Sequence, residues 1–145
     1  MKYQIRHLLH ISASREKVYE AITSLEGLRN WWTIQTEGRA EPGGIIRFRF
    51  GDMGGPDMKV IGGHAGKQAD WECVESPHGW KGHRFSFKLE DHEGKTRLKF
   101  LHDGWNEQDD YYAMCNFSWG KYLESLRQYC QTGKGEAFGS PGYRT

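Results

Sequence analysis

The sequence predicts one α+β domain in which a single antiparallel sheet packs around a long C-terminal helix. The first observation is the order of its segments, which run as one strand, two short helices, six strands and one long helix. The second is an alternation of apolar and polar residues in several strands, typical of a sheet with one buried and one solvated face. The third is a broad apolar stripe along the last helix, the one segment large enough to cover that buried face. A chain of 145 residues fits one such domain.

The N-terminal segment, residues 3–11, predicts a strand because its bulky residues recur at every second position. The predicted inward face carries Tyr3, Ile5, His7, Leu9 and Ile11. After this strand, Ser14 is a suitable N-cap for a helix over about residues 14–25.

A second, shorter helical segment is expected at residues 28–32, with Gly27 interrupting the helix before it. This segment ends in two consecutive tryptophans, Trp31 and Trp32. Because consecutive side chains on a helix project in different directions, both indoles cannot face inward. We therefore expect one of them at an edge or an opening of the domain.

Residues 33–103 predict six strands separated by turns rich in Gly, Pro and Asp. The predicted strands are residues 33–40, 44–50, 57–64, 68–76, 82–90 and 95–103. Alternation is clearest in three apolar sets, which are Ile46, Phe48 and Phe50, then Phe85, Phe87 and Leu89, then Leu98, Phe100 and His102.

The last predicted element is a helix from about residue 108 to residue 132, followed by Gly133, a residue that commonly ends helices. Its apolar stripe consists of Tyr112, Cys115, Trp119, Leu123, Leu126 and Cys130. A sheet that bends around a helix of about 37 Å does not contact it along its whole length, so a cavity between them is expected. The domain should span residues 1–135, with a Gly-rich surface tail over residues 136–145.

Composition argues against several partners. The chain has 20 basic and 19 acidic residues, so its net charge of +1 gives no bulk attraction for nucleic acid or an anionic membrane. No apolar run approaches the roughly 20 residues that span a bilayer, and the N-terminus lacks the apolar stretch of a signal peptide. We therefore expect a cytoplasmic protein without a membrane span.

The cysteines and histidines predict no metal site and no cofactor. Cys73, Cys115 and Cys130 are widely spaced and odd in number, which fits neither a disulfide framework nor a metal knuckle. Between His64 and His83 there is no histidine pair at metal-binding spacing. Small buried apolar residues are the simplest interpretation of the three cysteines.

An ordered series of motifs resembles a known superfamily. The motifs are Ile11 to Thr23, Gly27 to Trp32, Gly43-Gly44, Trp71-Glu72-Cys73, Trp80-Lys81-Gly82, Leu98 to Trp105 and Trp119 to Leu126. Together they resemble the START-like superfamily of polyketide cyclases, dehydrases and lipid-transport proteins. The subgroup they resemble is named after the activator of heat-shock-protein-90 ATPase.

This resemblance, over about residues 3–135, implies the helix-grip fold. In that fold a curved antiparallel sheet of seven strands, with two short helices, wraps around the C-terminal helix. The fold hosts transporters, cyclases, hydrolases and cochaperone domains, so it implies no single activity.

Bulky or polar residues on the inward faces are the predicted ligand contacts. The resemblance implies that the first and last strands are neighbours, so Tyr3, His7 and His102 are expected to lie together. A histidine in an apolar cavity can orient a carbonyl or carboxylate, although a hydrogen-bonded core histidine is the plainer alternative. The other predicted contacts, for which core packing is the alternative, are Trp32, Phe48, Phe50, Met58, Trp71, Phe85, Phe87, Met114, Phe117, Ser118 and Tyr122.

Three functions follow as hypotheses. The first is binding of a small hydrophobic, aromatic or lipid-like molecule between the sheet and the C-terminal helix, without defined catalysis. The second is an enzyme that acts on such a molecule by acid/base chemistry, using His7, His102 or Glu75. The third is a chaperone-associated or other protein-interaction module, and a homodimer stays open.

Overall fold

The computed structural model describes residues 2–144, so Met1 and Thr145, the ends of the predicted domain and tail, lie outside the described residues. Seven strands form one antiparallel sheet in the order β1-β7-β6-β5-β4-β3-β2. The strands are β1 Tyr3–Ile11, β2 Gln35–Gly38, β3 Ile45–Arg49, β4 Asp57–His64, β5 Gln68–Glu75, β6 Arg84–His92 and β7 Lys95–Trp105. The helices are α1 Arg15–Thr23, α2 Leu25–Trp31 and α3 Asp110–Thr132, with a short 3-10 turn at Gly51–Met53. The predicted α+β helix-grip fold is confirmed.

The first and last strands are paired, as the resemblance implied. In this antiparallel register Ile5 lies opposite His102, and His7 lies opposite Phe100. Phe85 and Phe87 on β6 are fully or almost fully buried, whereas Lys88 between Phe87 and Leu89 is exposed. The alternation read from the sequence therefore does separate one buried face from one solvated face.

The break between α1 and α2 lies at Ser24, so the prediction that Gly27 interrupts the helix is wrong. Ser24 is extended and its hydroxyl accepts a hydrogen bond from the Gly27 amide at 3.0 Å, which makes it the N-cap of α2. Gly27 lies inside α2, where a Cβ atom would stand only 2.4 Å from the Ala21 carbonyl oxygen. Glycine is therefore required by the close approach of α2 to α1.

Both tryptophans after Gly27 are buried, so neither lies at an exposed edge, although Trp32 lines an opening that is described below. Trp31 packs against α1 and donates its indole N–H to the Ala21 carbonyl oxygen at 2.9 Å. Trp32 follows the last residue of α2 and turns into the centre of the domain, with its ring 4.3 Å from Phe48 and 5.0 Å from Trp119. The end of the helix at Trp31 removes the geometric conflict.

The long helix α3 is capped at both ends. The Asp109 side chain accepts a hydrogen bond from the Tyr112 amide at 3.0 Å, and Gly133 ends the helix with a positive φ of 85°. Its buried residues are Cys115, Trp119, Leu123, Ser125, Leu126 and Cys130. No helix within residues 2–144 is long and apolar enough to cross a membrane.

The C-terminal segment after α3 runs back along the domain. The Phe138 amide donates to the Trp32 carbonyl oxygen at 2.9 Å, and the Ile34 amide donates to the Phe138 carbonyl oxygen at 3.1 Å. Ala137, which precedes Phe138, is fully buried. The segment thereby holds Trp32 and the start of β2 in place.

Candidate ligand pocket

A cavity of about 150 Å³ opens along one flank of α3. Its other walls are the loop that follows β3 and the connection between β5 and β6. The lining residues are Trp32, Phe50, Met53, Gly54, Gly55, Pro56, Ser76, His78, Trp80, Tyr111, Cys115, Ser118, Trp119 and Tyr122. The pocket lies between the helix and the sheet, as the fold predicts, at the end where the two loops meet the helix.

Aromatic rings make up most of the pocket wall. The Trp32 ring lies 5.7 Å from Phe50 and 6.4 Å from Tyr122, with interplanar angles of 62° and 67°. The rings of Trp80 and Trp119 are stacked at 6.1 Å. Aromatic side chains favour such edge-to-face and offset contacts, and a further ring entering the pocket would find the same partners.

The two loops at the mouth are joined by one hydrogen bond. The His78 Nε2 atom lies 2.7 Å from the Met53 carbonyl oxygen and must donate, because a carbonyl oxygen only accepts. Met53 is one of the exposed large apolar residues, and it stands at the pocket rim. The mouth is therefore formed by residues that the sheet does not hold directly.

Three polar groups are buried together in the wall. The Trp80 indole nitrogen is buried, and its hydrogen-bonding neighbours are the side chains of Tyr111 and Cys115. The Tyr111 hydroxyl and the Cys115 thiol flank it on α3, and burial raises the pKa of both groups above their ordinary values. Both groups therefore stay neutral near pH 7, so this part of the wall is polar but uncharged.

The lining within residues 2–144 contains no lysine, arginine, aspartate or glutamate. A charged ligand group entering this pocket would lose its hydration without gaining an ion-pair partner. The pocket therefore favours neutral molecules.

Three side chains behind the pocket, Trp119, His102 and His83, are linked by hydrogen bonds. The Trp119 indole donates to His102 Nδ1 at 3.0 Å, and His102 Nε2 lies 2.9 Å from His83 Nδ1. Since Trp119 can only donate, neutral His102 carries its proton on Nε2 and donates to His83. Burial, and secondarily the neighbouring His83, lowers the pKa of His102 to about 2. His102 is thus a neutral core residue that orients Trp119.

Four of the residues predicted as ligand contacts line this pocket: Trp32, Phe50, Ser118 and Tyr122. Six others are buried in the core outside its lining: Phe48, Met58, Trp71, Phe85, Phe87 and His102. Their rings and side chains support the wall without reaching the cavity.

The structure places Met114 and Phe117 on the wrong face for the predicted wall. They are 58% and 71% exposed, respectively. The buried stripe of α3 is centred on Cys115 and Trp119, and at 100° per residue Phe117 projects from the opposite side. Proximity in sequence to inward residues was a poor guide here.

Tyr3 and His7 do not line the pocket, and His7 lies on the other flank of α3. His7 faces Gly120 and lines a separate surface groove beside Phe117 and Lys121, so it does not reach the pocket. Tyr3 is half-buried and packs at the edge of the core. Strand pairing places all three residues along β1 and β7, but the ring contacts of His102 are with Trp80, Trp105 and Trp119, and neither Tyr3 nor His7 lines the pocket.

The residues suggested for acid/base chemistry do not meet in the pocket. Glu75 forms an exposed ion pair with Lys81 at 3.7 Å. His102 uses both ring nitrogens within the core, and His7 lies on the far flank of the helix.

Sequence reasoning missed Met53, His78, Trp80 and Tyr111. Met53 and His78 lie in segments interpreted only as turns, and Trp80 follows the same turn. Periodicity does not report where a loop folds back, so this pattern contained no signal for them. The one available hint was Trp80 itself, since a tryptophan beside a Pro-His-Gly turn has a large apolar surface to bury.

A second, wider depression of about 500 Å³ lies between α1 and strands β3 to β5. Small residues form much of its floor, among them Gly62, Gly63, Ala65 and Ala69. No buried donor or acceptor without a partner occurs in its lining within residues 2–144. The aromatic pocket beside α3 is therefore the better candidate site.

The sequence profile of the family described as "Activator of Hsp90 ATPase homolog 1-like protein" matches residues 12–131. The chain belongs to this family. No curated protein matches the sequence. Among solved structures, this family member is similar to the Aha1 dimer from Colwellia psychrerythraea, with 39% identity over 92% of this chain and 99% of that chain and a TM-score of 0.84.

Two more distant structures support the fold alone. A protein from Staphylococcus saprophyticus is 18% identical over 93% of this chain and 97% of its own, with a TM-score of 0.75. CalU16 from Micromonospora echinospora is 18% identical over 97% of this chain and 77% of its own, with a TM-score of 0.71.

Proposed function

We propose that the protein binds a small apolar or aromatic molecule in the pocket beside α3, without defined catalysis. The observation that carries the proposal is a cavity walled by six Phe, Tyr and Trp rings, with no lysine, arginine, aspartate or glutamate in the lining formed by residues 2–144. Ligand sites are typically concave and mostly apolar with a few polar groups, and this pocket has that character.

The volume of the pocket limits the size of its ligand. The pocket measures about 150 Å³, and cavities of that volume in other proteins hold a benzene-sized molecule. Of the ligands considered from the sequence, a small aromatic molecule therefore suits the pocket better than a long lipid chain.

A substitution that fills the pocket tests this proposal. Ser118→Trp places an indole in the cavity, and Phe117→Trp places the same group on the exposed face of the helix one residue away. We expect a panel of monocyclic aromatic compounds to shift pocket resonances in two-dimensional NMR spectra of the wild type and of Phe117→Trp, but not of Ser118→Trp. Equal binding by all three proteins, or no binding by the wild type, would overturn the proposal.

A second proposal concerns assembly. The 39% identical relative from Colwellia psychrerythraea is described as a dimer, and it aligns over nearly the full length of both chains. We infer that this chain also forms a homodimer. Sedimentation velocity at micromolar concentrations should give a species of twice the 16.8 kDa chain mass, and a monomer throughout that range would contradict the inference.

The chaperone-associated alternative is supported by the family's description alone. Its test is direct binding of the purified chain to a purified Hsp90-type ATPase. Stimulation of that ATPase would favour it over a purely ligand-binding role.

A further inference from the structure

We propose that two copies of this chain associate through the outer face of α3, with Phe117 of each protomer seated in a groove over the partner's Gly120. The surface concerned, called the Phe117 face, consists of Met114, Phe117, Gly120 and Lys121. This inference rests on the homodimer proposed above. It adds the location of the interface and the contact at its centre.

The Phe117 face exposes a large apolar surface. Phe117 is 71% exposed, more than any other large apolar residue in the described chain, and Met114, three positions before it, is 58% exposed. Residues three positions apart share one side of a helix, so the two side chains form a single patch. Phe and Met are enriched in protein interfaces, and adjacent exposed apolar residues commonly mark such surfaces. Burial against another protein therefore suits this pair.

A groove lies beside Phe117, on the flank of α3 that faces β1. Its volume is about 410 Å³, and its lining residues are His7, Asn116, Phe117, Gly120, Lys121, Glu124 and Arg144. Cavities of roughly 150 Å³ hold a benzene-sized molecule, so the groove has room for a phenylalanine ring. The Lys121 ammonium lies 5.7 Å from the centre of the Phe117 ring, and at the groove wall it can also contact the face of an entering ring.

Gly120 keeps this groove open, although the fold of the protomer does not require a glycine there. Gly120 lies inside α3, where glycine is less favourable than every residue except proline. A Cβ atom at this position would meet only His7 Cε1, at 3.7 Å, which is an ordinary van der Waals contact. At Gly27, by contrast, a Cβ atom would stand 2.4 Å from a carbonyl oxygen. A partner side chain that approaches the helix backbone closely gives a physical reason for glycine at position 120.

The Phe117 face is complementary to itself. A two-fold dimer uses the same surface on both protomers, so the surface must carry both the projecting group and the cavity that receives it. A two-fold axis that crosses α3 between residues 118 and 119 makes the two helices antiparallel and sets Phe117 opposite the partner's Gly120. In the same register Asp110 lies opposite the partner's Arg127, so side chains of opposite charge face each other.

Two substitutions test the contact from its two sides. Phe117→Ser removes the ring, and Gly120→Leu fills the groove while the ring stays in place. Each contact occurs twice in a two-fold dimer, so either variant should raise the dissociation constant of the dimer roughly thirtyfold or more. Ile61→Ser is the matched control, because Ile61 is 45% exposed but lies on β4. Its dissociation constant should stay within about twofold of the wild type, as measured by sedimentation velocity across a dilution series.

A third variant and a direct contact measurement guard against an effect on folding. Gly120→Ala adds only the Cβ atom, for which the folded chain has room, so its circular dichroism should match the wild type while the dimer weakens roughly fivefold. In a sample that mixes carbon-13-labelled and unlabelled wild-type protein, filtered NMR spectra report contacts between protomers alone. We expect nuclear Overhauser effects between the Phe117 ring protons of one protomer and the Gly120 α protons of the other.

The outcomes separate the interface from the dimer itself. If the wild type is monomeric throughout the micromolar range, the homodimer fails and its interface fails with it. If the wild type is dimeric but Phe117→Ser and Gly120→Leu associate as tightly, the homodimer stands and the Phe117 face is not its interface. If the wild type is monomeric and Phe117→Ser instead weakens binding to a purified Hsp90-type ATPase, the face contacts a different protein and the inference is overturned.

Discussion

The two faces of the Trp119 ring have different surroundings. On the core side, its indole N–H donates to His102, which in turn donates to His83, at 3.0 and 2.9 Å. On the pocket side, the Trp80 ring stacks against Trp119 and lines the open cavity. Buried polar groups that are hydrogen-bonded to one another help to hold the fold together, whereas aromatic rings at an open wall can contact a ligand. We therefore expect substitutions in the first region to affect stability and substitutions in the second to affect binding.

The largest loss of stability should come from removing the hydrogen bonds that join Trp119, His102 and His83. His102→Ala leaves both the Trp119 indole N–H and His83 Nδ1 without their partner and opens a cavity in a fully buried site. We expect a loss of about 3 kcal/mol in the free energy of unfolding. Urea denaturation measures this loss. The His102→Gln side chain can accept a hydrogen bond from Trp119 and donate one to His83, so this variant should recover part of the lost stability. A loss below about 1 kcal/mol in His102→Ala would contradict the comparison.

The same chain predicts a dependence of stability on pH. The pKa of His102 is about 2 in the folded protein, against an ordinary value of 6.5, so below pH 6.5 the unfolded chain binds a proton that the folded chain does not. The contribution of neutral His102 to the free energy of unfolding is fully present above pH 6.5. It is lost as the pH falls below 6.5, at about 1.4 kcal/mol per pH unit.

Between pH 6.5 and 5 this loss amounts to about 2 kcal/mol for His102 alone. Unfolding curves at several pH values measure it, and His102→Gln should show a correspondingly shallower dependence. Parallel curves for the wild type and His102→Gln would show that His102 does not titrate as inferred.

The smallest effect compares the two stacked tryptophans directly. Trp119→Phe removes the hydrogen bond to His102 from a fully buried ring, whereas Trp80 is only partly buried and lies outside that chain of hydrogen bonds. We expect Trp119→Phe to lower the free energy of unfolding by about 1–2 kcal/mol more than Trp80→Phe does. Thermal and urea unfolding of the two variants without ligand test this. Equal losses would contradict the contrast between the two faces of Trp119.

Much of the fold could be predicted because its signals are local. The alternation in residues 3–11 places Ile5 and Ile11 inward, and both are buried. The stripe from Cys115 to Cys130 on α3 is buried as its spacing indicated. Gly27 and Trp32 were misread for a local reason also: the cap that divides α1 from α2 is Ser24, and a serine three residues before a glycine is a weak signal by itself.

The candidate site was harder to predict. Ser118 and Tyr122 lie on α3, and Phe50 directly follows β3 and continues its alternation. Trp32 follows α2 and was proposed as a bulky aromatic residue, without a readable face. Met114 and Phe117 were included wrongly, since membership of the helix does not define which side of it a residue occupies. Met53, His78 and Trp80 come from two loops that meet only in three dimensions.

The sequence by itself determined the order of elements, the inward faces of the strands and the buried stripe of α3, because apolar periodicity expresses which side of each element avoids water. Only the tertiary structure decided which flank of α3 carries a cavity and which residues of the two loops line it. The hydrogen bond between Trp119 and His102 joins residues that are 17 positions apart in the sequence. The hydrogen bond between His78 and Met53 joins residues that are 25 positions apart. Those distances depend on how the loops close, which no repeat along the chain encodes.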